Sequence, residues 1–320
     1  MSRFIIALAA LFCLSGAAAR AEESWPSRAV TIVCPYAAGT VPDTIARTVA
    51  NELATQLKQP VIVENRTGAG GEVGTEYAAH AANDGYTLFL GSFDTQAILG
   101  HVYKNMPDPV TSFAPISLLA RIYNVVAATP NLDINTMADL ASAKGKASPI
   151  TFATPGVGTN LHLLGEMIKL RTGADLVHVP YRSSPDGVAD VIAGRVNLAV
   201  MGLPLLAPMI KDGKLKAIAI TAPHRIDAVP NVPTMAEQGY KDLTVTGWFG
   251  LLAPAGTGPG IITKLNADVR DIVKSDAYRK RLEPLLIDPA STSPQEFADF
   301  IKSESDRMGV VVEQAHISVK

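Results

Sequence analysis

A chain of 320 residues, 48% apolar and only 18% charged, holds enough material for two domains or one large one and excludes an intrinsically disordered protein. With 28 basic against 30 acidic residues the formal charge is −2, so no basic footprint points to nucleic acid as a partner.

The first residues read MSRFIIALAALFCLSGAAARAEE: an Arg, an apolar stretch from Phe4 to Leu14, then small residues ending in Ala19-Arg20-Ala21. This is the pattern of a secretory signal peptide over residues 1–21, cleaved near Ala21 and too short for a membrane span. Cys13 follows Phe12 and not a small residue, so no lipid anchor is expected. Removing this segment takes away Arg3 and Arg20 but no acid, and the exported chain becomes more acidic. Cys34 is then the single cysteine, which rules out an internal disulfide. Its place in AVTIVCP reads as a small buried hydrophobe.

AVTIV (29–33) is a continuous β-branched run, the pattern of a strand covered on both faces. After CPYAAGTV, Pro42-Asp43 marks a helix start, with proline in the first turn and an acid near the positive end of the dipole. Ile45, Val49, Leu53 and Leu57 then fall four apart on one face. PVIVE (60–64) predicts the second strand, and ENRTGAGGEVGTE leads into a helix marked by Val73, Tyr77 and Ala81. DGYTLFLGS supplies a turn and a third strand. The β-α-β-α-β order predicts parallel strands joined by right-handed crossovers.

The middle repeats this logic: NVVAAT, a helix at 137–143, ITFAT, a helix at 160–171, LVHVPY, a helix around 186–193, NLAVMG and LKAIAIT. Two successive α/β sheets predict two lobes. After LTVTGWFGLLAP the pattern turns all-helical, at 261–274, at 276–282 and from a capping box at Ser293-Pro294-Gln295-Glu296. This tail is expected to pack on the first lobe.

The glycine-rich segment raises the question of a dinucleotide site. That fingerprint needs G-x-G-x-x-G with its first Gly close to the strand end. Here Gly68 and Gly70 are followed by Val73 where the third Gly belongs, and Glu64 places a negative charge where a pyrophosphate would lie. Asp94, further on, could imitate the ribose-binding acid. If the first strand lies between the second and third, the crevice is flanked by the loops after strands one and three, and the glycine segment lies to one side. The glycines then read as a turn with positive φ and close helix packing. PYAAGTVPD (35–43) and GSFDTQ (91–96) become the ligand-facing loops, with backbone N–H groups able to approach an anion. ATPGVGTN (153–160) repeats the device in the second lobe, where Thr154, Gly156, Gly158 and Thr159 can offer donors or Thr159 can serve only as an N-cap.

No G-x-S-x-G, H-E-x-x-H, P-loop or C-x-x-C occurs in the exported chain. His162 and His178 read as structural, Asp43 and Asp186 as dipole compensation, and Arg182 as a carboxylate clamp or a solvated loop charge. No cofactor or metal site is expected.

PYAAGTVPDTIAR, QPVIVENRTGAGGEVGTEYAAHAANDGYTLFLGS, FAPISLLA, VHVPYRSSPDGVADVIAGRVNLAV, VPTMAEQGY and GWFGLLAPAGT together resemble the Bug-type extracytoplasmic solute receptors of tripartite tricarboxylate transporters. The resemblance implies a type II-like two-lobe periplasmic-binding-protein fold, each lobe a mostly parallel sheet flanked by helices. It implies a periplasmic, monomeric receptor that closes on a mono-, di- or tricarboxylate, including aromatic dicarboxylates, and hands it to membrane permease subunits. Carried over by position, it implicates Tyr36, Ala37, Ala38, Gly39, Asp43, Ser92 and Thr95 in the first lobe. In the second it implicates Thr154, Gly158, Thr159 and the Tyr181–Ser184 segment with Arg182 and Ser183; Phe93 and Met201 join the candidate ligand contacts by their apolar character. Lobe one is expected at 22–122 plus 247–320 and lobe two at 123–246.

Two departures stand out. Gly39-Thr40 replaces a Gly-Gly pair, and Met201-Gly202 replaces an Asp-Asn pair, which disfavours a ligand ammonium and leaves room for an apolar body. Phe93, Met201 and Trp248 are expected to offer apolar contacts. The alternative reading is an exported α/β enzyme acting on a small organic acid, which requires a matched acid–base pair that the sequence does not display.

Overall fold

The computed structural model describes residues 25–318 apart from 105, 144, 146 and 147, so the expected signal peptide lies outside the described residues. In chain order, β1 (Val30–Cys34), α1 (Val41–Leu57), β2 (Val61–Asn65), α2 (Glu72–Ala79) and β3 (Thr87–Ser92) follow the expected alternation. A π-type turn at Asp94–Ile98 and the short α3 (Leu99–Val102) lead to β4 (Phe113–Ile122). The chain then builds a second sheet from β5 (Asn124–Ala128), α4 (Met137–Ser142), β6 (Ile150–Thr154), α5 (Asn160–Thr172) and β7 (Leu176–Pro180). It continues with α6 (Ser184–Ile192), β8 (Leu198–Gly202), α7 (Leu203–Lys211) and β9 (Lys216–Ile220). β10 (Gly247–Pro254) returns to the first sheet, followed by α8 (Pro259–Lys274), α9 (Asp276–Leu282), β11 (Asp288–Pro289) and α10 (Pro294–Gln314).

The sheets have strand orders β11-β4-β10-β3-β1-β2 and β7-β6-β8-β5-β9. β1 lies between β2 and β3, parallel to both, which is the 2-1-3 order on which the placement of the ligand loops depended. Each sheet is mixed, not mostly parallel. β6 runs parallel to β7 and β8, but β10 opposes β3 and β4, and β5 opposes β8 and β9. The connectivity requires this: β4 runs out towards the second sheet, and β10 starts at the seam and runs back.

Two helices differ from expectation. On α2 the residues that mark the pattern, Val73 and Tyr77, face solvent, and the buried positions are Gly74, Thr75 and Ala78. Tyr77 is covered from outside by the Arg66 guanidinium, 3.5 Å from its ring centroid. The unanticipated α7 carries Pro204 in its first turn and Pro208 inside, yet buries Leu203, Leu206 and Ala207. The tail behaves as expected: α8 packs on β4 and α1, and α10 on β4 and the π-type turn. The capping box at the head of α10 is formed, with Ser293 Oγ accepting from the Glu296 N–H at 3.2 Å and Glu296 Oε2 accepting from the Ser293 N–H at 2.8 Å.

Candidate ligand-binding cleft

The first-sheet wall is the loop between β1 and α1. Ala37 to Thr40 are exposed at its tip. Asp43, 3% exposed, holds the loop from beneath: its carboxylate accepts from the Gly39 N–H at 2.9 Å, Arg47 Nε at 3.0 Å and Asn65 Nδ2 at 2.8 Å. Burial pushes this carboxyl up, but those three donors outweigh burial and hold it below the ordinary carboxylate range. The same Asn65 amide donates to the Tyr36 carbonyl at 2.9 Å. Asp43 is thus consumed in shaping the loop and touches the cleft only through Gly39, whose φ of +80° gives the chain its turn.

The head of α1 is left open. Thr40, its N-cap, makes no cap bond and instead donates to the Ala37 carbonyl at 2.6 Å. The Ala37 and Ala38 N–H groups have no acceptor among the described residues. Exposed amides at the positive end of a 17-residue helix are suited to a carboxylate.

Behind them Tyr36 and Ser92 share a hydrogen bond of 2.6 Å between hydroxyls. Ser92 and Thr95 close a reciprocal pair, Ser92 N–H to Thr95 Oγ1 at 2.9 Å and Thr95 N–H to Ser92 Oγ at 3.2 Å. Burial first, and the charge of Asp94 second, push the Tyr36 phenol up, so it stays a neutral donor.

The glycine segment proves to be the bed under both loops. A Cβ on Gly74 would meet the Arg66 carbonyl oxygen at 2.8 Å and Pro35 Cα at 2.9 Å, and one on Gly71 would meet Thr95 Cγ2 at 3.0 Å. Only glycine lets α2 approach the root of the Tyr36 loop this closely.

The second-sheet wall is the loop from β6 to α5. Thr159 caps α5, accepting from the His162 N–H at 3.2 Å, and Thr154 Oγ1 shares a 2.6 Å bond with His178 Nε2. The Gly158 N–H donates to His162 Nδ1 at 3.2 Å, which assigns the neutral Nε2–H tautomer to His162. The two imidazoles stack at 3.8 Å, on top of Phe152. Burial, and Lys169 after it, lower His162 to about 4; burial, and His162 after it, lower His178 to about 3. This neutral pair fixes the loop from below, a larger role than the separate core residues expected of them.

The remaining expected contacts divide. Tyr181 donates through its hydroxyl to Asp190 at 2.6 Å and backs α6. Ser183 is the N-cap of α6, and Arg182 is exposed beside it. Phe93 and Met201 are buried at 1% and 0% and offer no free surface to a ligand, contrary to expectation. Phe93 packs edge-on to Trp248, itself buried against Phe297 and Phe300, and the Met201 methyl lies under Gly187. Their apolar character serves the core.

One contact across the seam was not anticipated. Asp94, half-buried at the start of the π-type turn, reaches across the seam and accepts at Oδ1 from the Asn160 N–H at 2.9 Å. Asn160 is the first residue of α5, so the head of that helix is already filled by a carboxylate from the facing sheet. The signal was present in GSFDTQ, an acid inside a loop assigned to the ligand.

Comparison with known proteins agrees with this geometry. Residues 45–317 match the family described as Tripartite tricarboxylate transporter family receptor. Protein BugT of Bordetella pertussis is 32% identical over 324 residues, covering 100% of this chain and 99% of its own. Among solved structures, Rpa4515 of R. palustris with adipate is 32% identical, with a TM-score of 0.78 over 92% of this chain and 99% of that one. MatC from Rhodopseudomonas palustris with bound malate is 30% identical, with a TM-score of 0.74 over 90% and 100%. On the strength of the family match, the end-to-end relationship to BugT and the shared two-lobe fold, this chain belongs to the solute-binding receptors of the tripartite tricarboxylate transporter family.

Proposed function

We propose that this receptor captures a small organic carboxylate between its two lobes, in the periplasm, and delivers it unconverted to the membrane components of its transporter. The observation that carries the reading is the pair of free N–H groups at Ala37 and Ala38, exposed at the uncapped head of α1. One ligand carboxylate sits on those amides, with the Tyr36, Ser92 and Thr95 hydroxyls behind it. The loops at Thr154–Thr159 and Tyr181–Ser183 cover the rest of the molecule.

The lobes in this reading are residues 22–122 with 247–320, and 123–246, moving as rigid bodies about the two crossings. The sheet assignments support it, since β4 ends at Ile122, β5 begins at Asn124 and β10 begins at Gly247. The relatives solved with adipate and malate support a carboxylate as the ligand class. The mature receptor starts after Ala21 and acts as a monomer.

A thermal-shift screen of mono-, di- and tricarboxylates, aromatic ones included, tests the reading. A true ligand at a hundredfold excess over Kd adds about 2.7 kcal/mol, and the compound is recovered unchanged after incubation. Absence of a shift with every acid refutes carboxylate capture, and recovery of a converted product favours the enzyme reading.

A further inference from the structure

The expected use of the α5 head as a second anion hole meets an obstacle. The positive end of a helix of this length attracts one carboxylate, and Asp94 supplies it from within the protein. Asp94 Oδ1 is engaged by the Asn160 N–H, while Oδ2 has no donor among the described residues. No basic side chain pairs with it among the described residues either.

The groups facing it from each neighbouring element are few. From the β1 loop the Tyr36 phenol, already bonded to Ser92, lies close enough to feel its charge, and from α5 the Asn160 N–H donates to it. Burial raises the carboxyl to about 6 against the single stabilising N–H, which leaves it mainly ionised at neutral pH.

We infer that Asp94 sets the ligand selectivity of the cleft: its carboxylate excludes a second ionised carboxylate from the second-lobe side and accepts a hydrogen bond there from a hydroxyl or other donor. The preferred ligand is therefore an acid with one ionised carboxylate, on the Ala37 and Ala38 amides, and a neutral proton-donating group at its far end. This rests on the carboxylate-capture reading above and narrows it. It also reverses the earlier argument from Met201, because the acid missing after β8 is provided after β3.

The test is isothermal calorimetry on the mature receptor with α,ω-dicarboxylates from succinate to adipate, each paired with the ω-hydroxy acid of the same length. The wild-type protein prefers the hydroxy acid. Asp94→Asn keeps an oxygen that can accept from the Asn160 N–H but removes the charge, and the preference should move towards the dicarboxylate by about tenfold or more, as expected for like charges a few ångströms apart in a partly desolvated cleft. Asp94→Ser, smaller and still an acceptor, should move it the same way, and serves if the amide variant folds poorly. Binding by wild-type protein with an unchanged ratio in the variants overturns the role of Asp94 alone. Failure of wild-type protein to bind any member of either series overturns carboxylate capture itself, and this inference with it.

Discussion

Replacing Gly74 by Ala tests whether the glycine segment is the bed of the ligand loop. The added methyl would lie 2.8 Å from the Arg66 carbonyl oxygen and 2.9 Å from Pro35 Cα, both backbone atoms that cannot swing aside. Overpacking of this kind costs about 1–3 kcal/mol. Alanine in a helix recovers about 0.5–1 kcal/mol over glycine, so the net loss is about 1–2 kcal/mol. The Tm should fall by a few degrees, about 2–4 °C per kcal/mol. The displacement is transmitted to Pro35, so the Tyr36 loop shifts and carboxylate affinity falls more than stability alone requires. Gly260→Ala is the control, since it too lies in a helix, away from the ligand loops, and its Cβ meets nothing within 4 Å. Urea denaturation and calorimetry on both variants decide the matter. A Gly74→Ala protein with wild-type stability and wild-type Kd would refute the argument.

Three further outcomes follow from the same geometry. Asp43→Ala should cost about 2 kcal/mol and abolish carboxylate binding, because Asn65 and the Gly39 N–H lose their acceptor, the half-exposed Arg47 being discounted for solvent; denaturation midpoints and calorimetry report both effects. Tyr36→Phe should weaken binding while lowering stability by about 1 kcal/mol through the lost bond to Ser92, measured by thermal shift with and without ligand. His162, lowered from 6.5 to about 4, binds more protons unfolded than folded between those values, so its contribution is complete above pH 6.5 and is lost as pH falls towards 4. That drop corresponds to about 3 kcal/mol, opposed in part by Asp94, whose raised carboxyl favours the fold as pH falls. Denaturation curves across that range should therefore be flatter in His162→Asn than in wild-type protein.

The alternation of strands and helices was legible because each element has its own period and its own breakers, and the expected 2-1-3 strand order is the one found. Strand direction was not legible: nothing local in GWFGLLAP tells that it starts at the seam and opposes its neighbours. α7 was not anticipated: its two prolines mask the helical pattern, although Pro204 sits where a helix lacks a partner for its N–H anyway. Phe93, Met201 and Trp248 were assigned to the cleft from apolar character, a property that cannot distinguish a ligand wall from a core. The bond made by Asp94 was missed because its partner is a backbone N–H 66 residues away, a contact that only the folded seam creates.

Cys34, at the end of β1, has its thiol fully enclosed and pushed up to about 11, burial being the main cause. Thiolate chemistry at neutral pH is therefore silent in the native receptor, and alkylating reagents register only molecules that have come apart. The rate of modification becomes a clock for global opening, slowed in proportion to ligand occupancy. The same silence gives an engineered cysteine pair on opposite rims of the cleft a clean background for distance measurements by attached spectroscopic labels.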